Sequence, residues 1–333
     1  MFKFNFFPSL QNTLIKKFGK KMIAIYDLDK INCSHDFLVF FQNAYLFKKI
    51  YKASGMDILI LSGSYLGFKK QQFNREKNYK LDFAKSRLEN IIFPSLNMFS
   101  DYFDNFFFIK NREDFDFSLI KNKYQFIFPT KYKLNIHKNE YVQECIWANL
   151  EKNYKSFDFA PLKISKILKK KILKYLNTKK KIITITLRES AYTKYRNSRN
   201  NDWKRFVNFL NNKKIKIIVV RDFEKMGQID FFRKYEIFPE ASYNIGFRSA
   251  LYSVSDLNFF VDGGPQTICW INNYNSISWK VWFDGKDKSL YDDNIGFNKF
   301  QKSKILNNNK QILLSEKDNF LNLIKYSKYF KLF

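Results

Sequence analysis

The polar loop that follows a buried, β-branched run at 182–187 holds arginines in a chain whose basic residues are mostly lysines. Arg188 comes directly after that run, and Arg196 lies farther along the same loop. A planar guanidinium group can bind two phosphate oxygens at once, so arginine suits a phosphate better than lysine does. The loop therefore predicts a phosphate contact. The alternative is an exposed charged loop paired with nearby acids such as Glu189.

A short glycine-containing turn is the second candidate phosphate site. The sequence DGGPQT occupies 262–267, directly after a buried run at 257–261, in a chain with only 10 glycines. Two glycines let a ligand approach the backbone closely, and a proline fits the first turn of a helix. Free N–H groups and the dipole at a helix start favour an anion. The turn predicts a phosphate cradle, with a plain strand-to-helix turn as the alternative.

Two weaker candidate groups follow other predicted strands. Arg221 and Asp222 end one buried run, and Asn244 and Arg248 lie at the start of a predicted helix. Ligands of parallel sheets bind at the carboxyl ends of the strands. These four side chains are therefore candidates for contacts with a nucleotide base, a ribose or a phosphate.

His35 and Asp36 follow the first predicted strand and begin a predicted helix. Either side chain could act as a general base that deprotonates a hydroxyl in a cleft between domains. The alternative is that Asp36, or Ser34, is an ordinary helix N-cap. No metal site is predicted, because the two histidines and three cysteines are scattered. The Asp-x-Asp patterns at 27–29 and 114–116 lack the context of a phosphate site.

Strand and helix patterns alternate along the chain, which indicates an α/β fold with parallel sheets. The run from 22 to 63 has the strand–helix–strand order of a βαβ unit. Strands are predicted near 22–26, 57–63, 104–109, 125–129, 181–187, 215–220, 257–261 and 276–283. Helices are predicted near 36–53, 80–90, 139–151, 163–176, 202–210 and 246–254, from 266, and from a capping box at 315. Asp202 is the predicted cap of the helix at 202–210.

The predicted organisation has a basic aromatic segment, two domains and a last helix. The boundaries are 1–21, 22–155, 163–310 and 315–333. The first segment could lie on an anionic membrane surface or form a poorly ordered tail. It lacks the apolar run and cleavage site of a signal peptide. No run of about 18 apolar residues predicts a transmembrane helix.

The formal net charge of +28 favours anionic partners such as nucleic acid, an anionic membrane or a phosphorylated small molecule. The chain is also rich in Lys, Phe, Tyr, Asn and Ile, which A/T-rich codons encode. The net charge could therefore reflect the base composition of the gene and not a function. Lysines occur in nearly every segment, and no RRM, KH or helix-turn-helix signature is present. No specific nucleic-acid partner is therefore expected.

Residues 180–285 resemble the donor-binding domain of GT-B glycosyltransferases of the fucosyltransferase-like or heptosyltransferase-like kind. The resemblance is carried by Thr186-Leu187-Arg188, by Arg221-Asp222, and by the run 247–252 that leads to the turn 262–267. The His-x-Arg form common in fucosyltransferases is absent. The resemblance implies two Rossmann-like domains facing each other across a cleft, with Arg188 and residues 263–267 against a donor diphosphate.

The function that the resemblance implies is transfer of a sugar from a nucleotide-sugar to a hydroxyl of a glycan or lipid-linked acceptor, without a metal or other cofactor. Surface polysaccharide biosynthesis in the cytoplasm, with 1–21 at the inner membrane face, is the expected setting. The catalytic candidates are Arg188, Asp36 and His35. The candidate donor-binding residues are Arg188, Tyr195, Arg196, Asn197, Arg221, Asp222, Asn244, Arg248, Asp262, Gly263, Gly264, Pro265, Gln266 and Thr267.

Three other functions stay open at the level of the sequence. A polysaccharide pyruvyl transferase or a sugar-nucleotide epimerase would keep the fold and change the chemistry. A non-catalytic basic protein that binds nucleic acid would use the charge alone. An inactive relative could serve as an assembly partner.

Overall fold

The computed structural model describes residues 20–75, 81–153, 155, 157–191, 194–281, 295–298 and 300–331. Most of the predicted N-terminal segment, residues 1–19, therefore lies outside the described residues. The described part forms two sheets in which every strand pairing is parallel. The strands are β1 (Lys21–Asp27), β2 (Gly55–Leu61), β3 (Asn105–Ile109), β4 (Phe126–Phe128), β5 (Ile182–Thr186), β6 (Lys216–Val220), β7 (Leu257–Val261), β8 (Ser276–Trp279) and β9 (Gln311–Leu313).

The first sheet has the strand order β3-β2-β1-β4. All of β2 and all but the first residue of β1 are buried, as expected for a parallel sheet covered by helices on both faces. Loops at the carboxyl ends of these strands lie at one edge of the sheet. The loop that leaves β1 leads to His35 and Asp36 at that edge.

The second sheet has the strand order β6-β5-β7-β8-β9. From β5 the chain moves outward to β6 and then returns to β7 on the other side of β5. The strand order therefore reverses between β5 and β7. In open parallel sheets this reversal opens a crevice at the carboxyl ends of the two central strands, where ligands bind.

The helices are α1 (Asp36–Ile50), α2 (Lys70–Arg75), α3 (Leu81–Arg87), α4 (Phe93–Met98), α5 (Phe117–Lys123), α6 (Lys138–Glu144), α7 (Trp147–Lys152), α8 (Lys166–Leu176), α9 (Asn200–Asn211), α10 (Ile245–Val254), α11 (Gln266–Ile271) and α12 (Phe320–Tyr329). A π-helical turn, Leu88–Ile92, joins α3 to α4. The apolar spacing of α9 places Trp203, Phe206, Val207 and Leu210 in the core. None of the described helices is both long and apolar enough to cross a membrane.

The two sheets are joined by apolar contacts between the halves of the chain. Ile245, Tyr252 and Ile268 belong to the same hydrophobic cluster as the first sheet. The rings of Trp147 and Trp270 meet edge to face, with 4.9 Å between their centroids. Burial of apolar area and an edge-to-face ring pair both stabilise the contact. The halves are therefore held in one relative orientation that brings their sheet edges together.

The structure corrects the ends of several predicted elements. The predicted helix at 139–151 is two helices, because the chain leaves helical geometry at Cys145 and Ile146. The predicted strand at 276–283 ends at Trp279. The short edge strand β9 was not predicted. Three residues without an alternating pattern give too weak a signal.

Two predicted helix caps were wrong. The last helix begins at Phe320 and not at the capping box at 315, because the Asn319 side chain accepts the Asn322 N–H at 2.9 Å. Asp202 was expected to cap α9 but lies in its first turn. Its carboxylate instead accepts the Phe320 N–H at 3.1 Å and so joins α9 to α12.

Candidate active site

Arg188 and the glycine turn meet at the crevice where the strand order of the second sheet reverses. Arg188 follows β5, and Gly263 follows the neighbouring strand β7. A methyl group placed on Gly263 would lie 3.6 Å from Nη1 of Arg188. The guanidinium group therefore rests against backbone that carries no side chain. The two phosphate features predicted from separate parts of the sequence are thus neighbours in space.

The loop that carries Arg188 is held by its own polar groups. The Arg188 N–H donates to the Ser198 hydroxyl at 2.8 Å, and the Ser198 N–H donates to the Arg188 carbonyl at 2.8 Å. The Asn197 side chain donates to the Ser190 carbonyl at 2.8 Å. We call residues 188–191 and 194–199 the arginine loop. These bonds connect the two ends of the loop and hold the backbone of Arg188 in place.

Arg196 connects the arginine loop to the glycine turn. Its Nη2 donates to Asp262 Oδ2 at 2.5 Å and to the Asp262 carbonyl at 3.3 Å. The other carboxylate oxygen of Asp262 accepts the Gln266 amide at 3.0 Å. Both oxygens of Asp262 are therefore engaged within the protein. Arg196, Asp262 and Gln266 hold the turn beside Arg188.

The backbone of the glycine turn differs from the expected open helix start. The Gln266 N–H donates to the Gly263 carbonyl at 3.3 Å, and the Thr267 N–H donates to the Gly264 carbonyl at 3.2 Å. Pro265 stands between them as the residue before α11. Within the described part of the chain, no group accepts a hydrogen bond from the N–H of Gly263 or Gly264. The backbone N–H groups that could receive an anion at this turn are therefore those of the two glycines and not those of the first helical residues.

His35 reaches the glycine turn from the other half of the chain. A methyl group on Gly264 would lie 2.7 Å from Cβ and 3.3 Å from Nδ1 of His35. Burial, together with the positive charges of Arg248 and Arg87, lowers the pKa of His35 well below its usual value. The imidazole is therefore neutral at neutral pH. The loop after β1 and the turn after β7 are therefore in direct contact.

Asp36 lies beside His35 in the first turn of α1, and its side chain does not cap the helix. The Asp36 N–H donates to the Ser34 hydroxyl at 3.2 Å, and the Asn32 amide donates to the Asp36 carboxylate at 3.4 Å. Burial raises the pKa of Asp36 above its usual value. A carboxylate with a raised pKa is a stronger base than an exposed one. The Asp36 side chain is therefore not the cap of α1, and its role as a base stays a prediction.

Arg221 has a structural role that the sequence did not indicate. It is 1% exposed, and it donates two hydrogen bonds to Glu189, of 2.9 and 2.6 Å. Its Nη1 also lies 2.8 Å from the Asp230 carboxylate. Glu189 therefore pairs with Arg221 and not with the loop arginines. The guanidinium group of Arg221 is engaged inside the protein, which favours positioning of the arginine loop over contact with a donor.

Replacing Arg221 by leucine is expected to destabilise the fold by about 3–5 kcal/mol, because the buried Glu189 carboxylate would lose its cation. Urea unfolding measures the change. Lys163→Leu is the control, since both members of the ion pair of Lys163 with Asp101 are exposed, at 64% and 59% of their side-chain surface. That variant should change stability by at most about 1 kcal/mol. Equal losses in the two variants would contradict the assignment.

Asp222, Arg248 and Asn244 surround the same crevice. Burial raises the pKa of Asp222, and the nearby Arg188 and Arg248 oppose that rise. Arg248 is buried and donates to the Ala241 and Ser242 carbonyls at 2.5 and 2.9 Å.

Asn244 caps α10 by accepting the Phe247 N–H at 2.9 Å, and its amide reaches Asn90 of the first half at 3.4 Å. Asn244 thus joins the halves, while Arg248 supplies positive charge to His35 and Asp222. Of the other predicted residues, Thr267 is buried, and Tyr195 is exposed.

Lys280 and Asp318 support the arginine loop and were missed in the sequence. Lys280 follows β8 with a positive φ of 60° and is 4% exposed. Its Nζ donates to the Asn197 carbonyl at 2.5 Å and lies 2.9 Å from the Asp318 carboxylate. Asp318 also accepts the Arg199 N–H and the Trp203 indole N–H, at 2.8 and 2.7 Å. The sequence does not distinguish Lys280 from the many other lysines of the chain, so this role could not be predicted.

The Asp-x-Asp pattern at 27–29 serves an ion pair. Arg112 donates to the two oxygens of Asp27 at 2.7 and 2.8 Å, and Tyr132 donates to the same carboxylate at 2.8 Å. Asp29 accepts the Ser64 N–H and hydroxyl. The carboxylates thus tie strand-end loops of the first sheet together. Within the described residues, no three His, Cys, Asp or Glu side chains are grouped as metal ligands.

The two glycines of the turn predict different outcomes when each is replaced by alanine. In Gly263→Ala the methyl group meets ordinary contacts of 3.5–3.7 Å, so folding should be near normal, but the methyl group would cover the anion-facing backbone. In Gly264→Ala the methyl group collides with His35, which should cost about 1–3 kcal/mol of stability. Urea unfolding and calorimetric titration with pyrophosphate measure the two effects. Wild-type pyrophosphate affinity in Gly263→Ala would contradict the assignment of the cradle.

No family model matches the sequence, and no curated protein matches it. The fold is similar to that of solved structures. A family 9 glycosyl transferase from Veillonella parvula has a TM-score of 0.51 and 8% identity, covering 96% of this chain and 90% of that chain. The ADP-heptose lipopolysaccharide heptosyltransferase II of E. coli has a TM-score of 0.48 and 7% identity, covering 93% of this chain and 98% of that one. The first likeness, with the two parallel sheets, confirms the predicted α/β fold of GT-B type.

Proposed function

We propose that this chain is a glycosyltransferase that moves a sugar from a nucleoside-diphosphate sugar to an acceptor hydroxyl. The observation that carries the proposal is the meeting of Arg188, the bare glycine turn and His35 at the junction of the two halves. Arg188 and the free N–H groups of the two glycines lie on one side of this junction, and His35, with Asp36 next to it in the chain, lies on the other. The family 9 glycosyl transferase with a similar fold supports this class of reaction.

The donor diphosphate is proposed to lie between Arg188 and the N–H groups of Gly263 and Gly264. As the bond from the anomeric carbon to the diphosphate oxygen breaks, negative charge develops on the leaving group. Arg188 is aimed at that charge, and preorganised donors of this kind stabilise a transition state strongly. Arg248 adds positive charge nearby, and Arg196 and Asp262 hold the turn in place. We propose that these cations stabilise the leaving group without a metal ion.

The acceptor is proposed to bind on the side of the first sheet, with its hydroxyl near Asp36. The acceptor oxygen forms the new bond to the anomeric carbon, and Asp36 takes the proton that this oxygen loses. Because burial raises the pKa of Asp36, the carboxylate accepts a proton more readily than an exposed aspartate does. His35, neutral and in contact with Gly264, would position the two halves of the site. We propose a glycan or lipid-linked molecule of surface polysaccharide synthesis as the acceptor.

A thermal-shift panel of GDP, UDP, ADP and CDP tests the proposal, with the four monophosphates as matched controls. A ligand at about 100 times its Kd stabilises a fold by about 2.7 kcal/mol. We expect one diphosphate to raise Tm clearly and its monophosphate to do so much less. The sugar forms of that nucleotide then serve as donors in a transfer assay with and without EDTA. No response to any diphosphate would refute the proposal, and loss of transfer in EDTA would refute its metal-free form.

A further inference from the structure

The stretch that leads into the second sheet is uniformly basic. No Asp or Glu occurs from 159 to 188, whereas nine lysines occur from 163 to 181. Helix α8 lies in the middle of this stretch, capped by the Ser165 hydroxyl, which accepts the Leu168 N–H. Five of the nine lysines lie on α8, and no acidic residue stands near them in the sequence.

Helix α8 has one face buried and the opposite face covered with lysines. Ile172 and Leu176 are buried in a cluster with Leu251 of α10. On the opposite face Lys166, Lys170 and Lys174 are exposed at i, i+4 and i+8. No ion pair to any of these three is found within the part of the chain that the structure describes. Like charges at this spacing repel one another, and an anionic surface would relieve that repulsion.

Large apolar side chains lie beside these lysines and are exposed. Ile167 is 70% exposed, Leu173 is 47% exposed and Tyr175 is 70% exposed. A row of lysines with aliphatic side chains on both sides is typical of helices that lie in the interface of a bilayer. Lysine stems can also lie along apolar surface while their ammonium groups contact lipid headgroups. Aliphatic groups gain nothing from contact with a nucleic-acid backbone, so this surface favours a lipid partner.

We propose that the exposed face of α8 docks on the surface of a bilayer that contains anionic phospholipids. We call this face, formed by Lys166, Ile167, Lys170, Leu173 and Lys174, the basic helix surface. The ammonium groups would neutralise lipid phosphates, and the aliphatic side chains would enter the boundary between headgroups and acyl chains. The inference uses no residue of the proposed active site. It stands or falls separately from the proposed function.

Flotation of the full chain with vesicles tests the proposal. Vesicles of phosphatidylcholine with phosphatidylglycerol are compared with phosphatidylcholine alone, and only the first should bind the wild type. Lys166→Gln, Lys170→Gln and Lys174→Gln combined should weaken binding by about 100-fold. The matched control is the triple change Lys133→Gln, Lys302→Gln and Lys310→Gln, at exposed and scattered positions. It removes the same charge and should leave binding within a few-fold of the wild type.

A second variant tests the apolar part without changing charge. Ile167→Ser combined with Leu173→Ser should weaken vesicle binding and leave the melting temperature unchanged, since both side chains are exposed. Equal losses in the two lysine triples would overturn the proposal, because non-specific charge would then explain binding. Loss of binding to a random RNA, with vesicle binding retained, in the α8 triple would assign the surface to nucleic acid and also overturn it.

Discussion

Replacing Arg188 by alanine should lower kcat for sugar transfer by about 10²–10³, or about 3–4 kcal/mol of transition-state stabilisation. The expected cause is loss of the guanidinium group that lies against Gly263 and that we propose contacts the leaving diphosphate. Folding should be preserved, because the backbone bonds from Arg188 to Ser198 do not use its side chain. Steady-state kinetics with the donor identified by thermal shift gives the measurement.

Arg188→Lys is the matched control, since it keeps the charge and removes the planar fork. We expect an intermediate loss, because an ammonium group cannot bind two phosphate oxygens in the same geometry. Arg205→Ala, at a position 66% exposed on α9, should leave turnover unchanged. Turnover of Arg188→Ala within a few-fold of the wild type would remove Arg188 from the mechanism.

Replacing Asp36 by asparagine should lower kcat by about 10²–10⁴, because the variant cannot take the proton of the acceptor hydroxyl. The pH profile provides an independent readout. Asp36 works as a base only when ionised, and burial raises its pKa. Activity of the wild type should therefore fall as the pH drops through this raised pKa. The residual activity of Asp36→Asn should lack that acid limb.

His35→Gln separates positioning from proton transfer. The His35 imidazole is already neutral and lies against Gly264, so we expect a rise in the KM of the donor with the acid limb retained. The opposite pattern would contradict the assignment of the base. If His35→Gln removed the acid limb and Asp36→Asn kept it, then His35 and not Asp36 would be the group that takes the proton.

Much of the architecture could be predicted from the sequence, because buried β-branched runs and amphipathic spacing determine where strands and helices form. The proximity of Arg188 to Gly263 also follows from local information. Each residue comes directly after a strand, and the carboxyl ends of parallel strands share one edge. The order of the strands completes the argument, since β5 and β7 are neighbours.

The interior contacts of the site could not be predicted, because they join residues far apart in the chain. Arg221 had the same local signature as Arg188, a basic residue after a buried strand. Its pairing with Glu189 and Asp230 depends on how two loops fold over each other. The hydrogen bond from the Arg199 N–H to Asp318 joins residues that are more than a hundred positions apart in the sequence. Both the capping pattern at 315 and Asn319 could begin the last helix. The contact between α12 and α9 favours the start after Asn319.

The contact between His35 and Gly264 could not be predicted from sequence patterns either. Neither segment shows how the two sheets are oriented relative to each other. That orientation is set by apolar packing such as the pair Trp147 and Trp270. Sequence patterns therefore identify candidate site residues in each half of the chain, and the packing of the halves brings these residues together.

A crystal structure of the chain with the nucleoside diphosphate that gives the largest thermal shift tests the central claim most directly. The diphosphate is predicted to lie in the crevice between β5 and β7, with its β-phosphate within hydrogen-bonding distance of the Arg188 guanidinium and of a glycine N–H at 263 or 264. A diphosphate bound elsewhere on the molecule, or bound there with the Arg188 side chain turned away from it, would contradict the account.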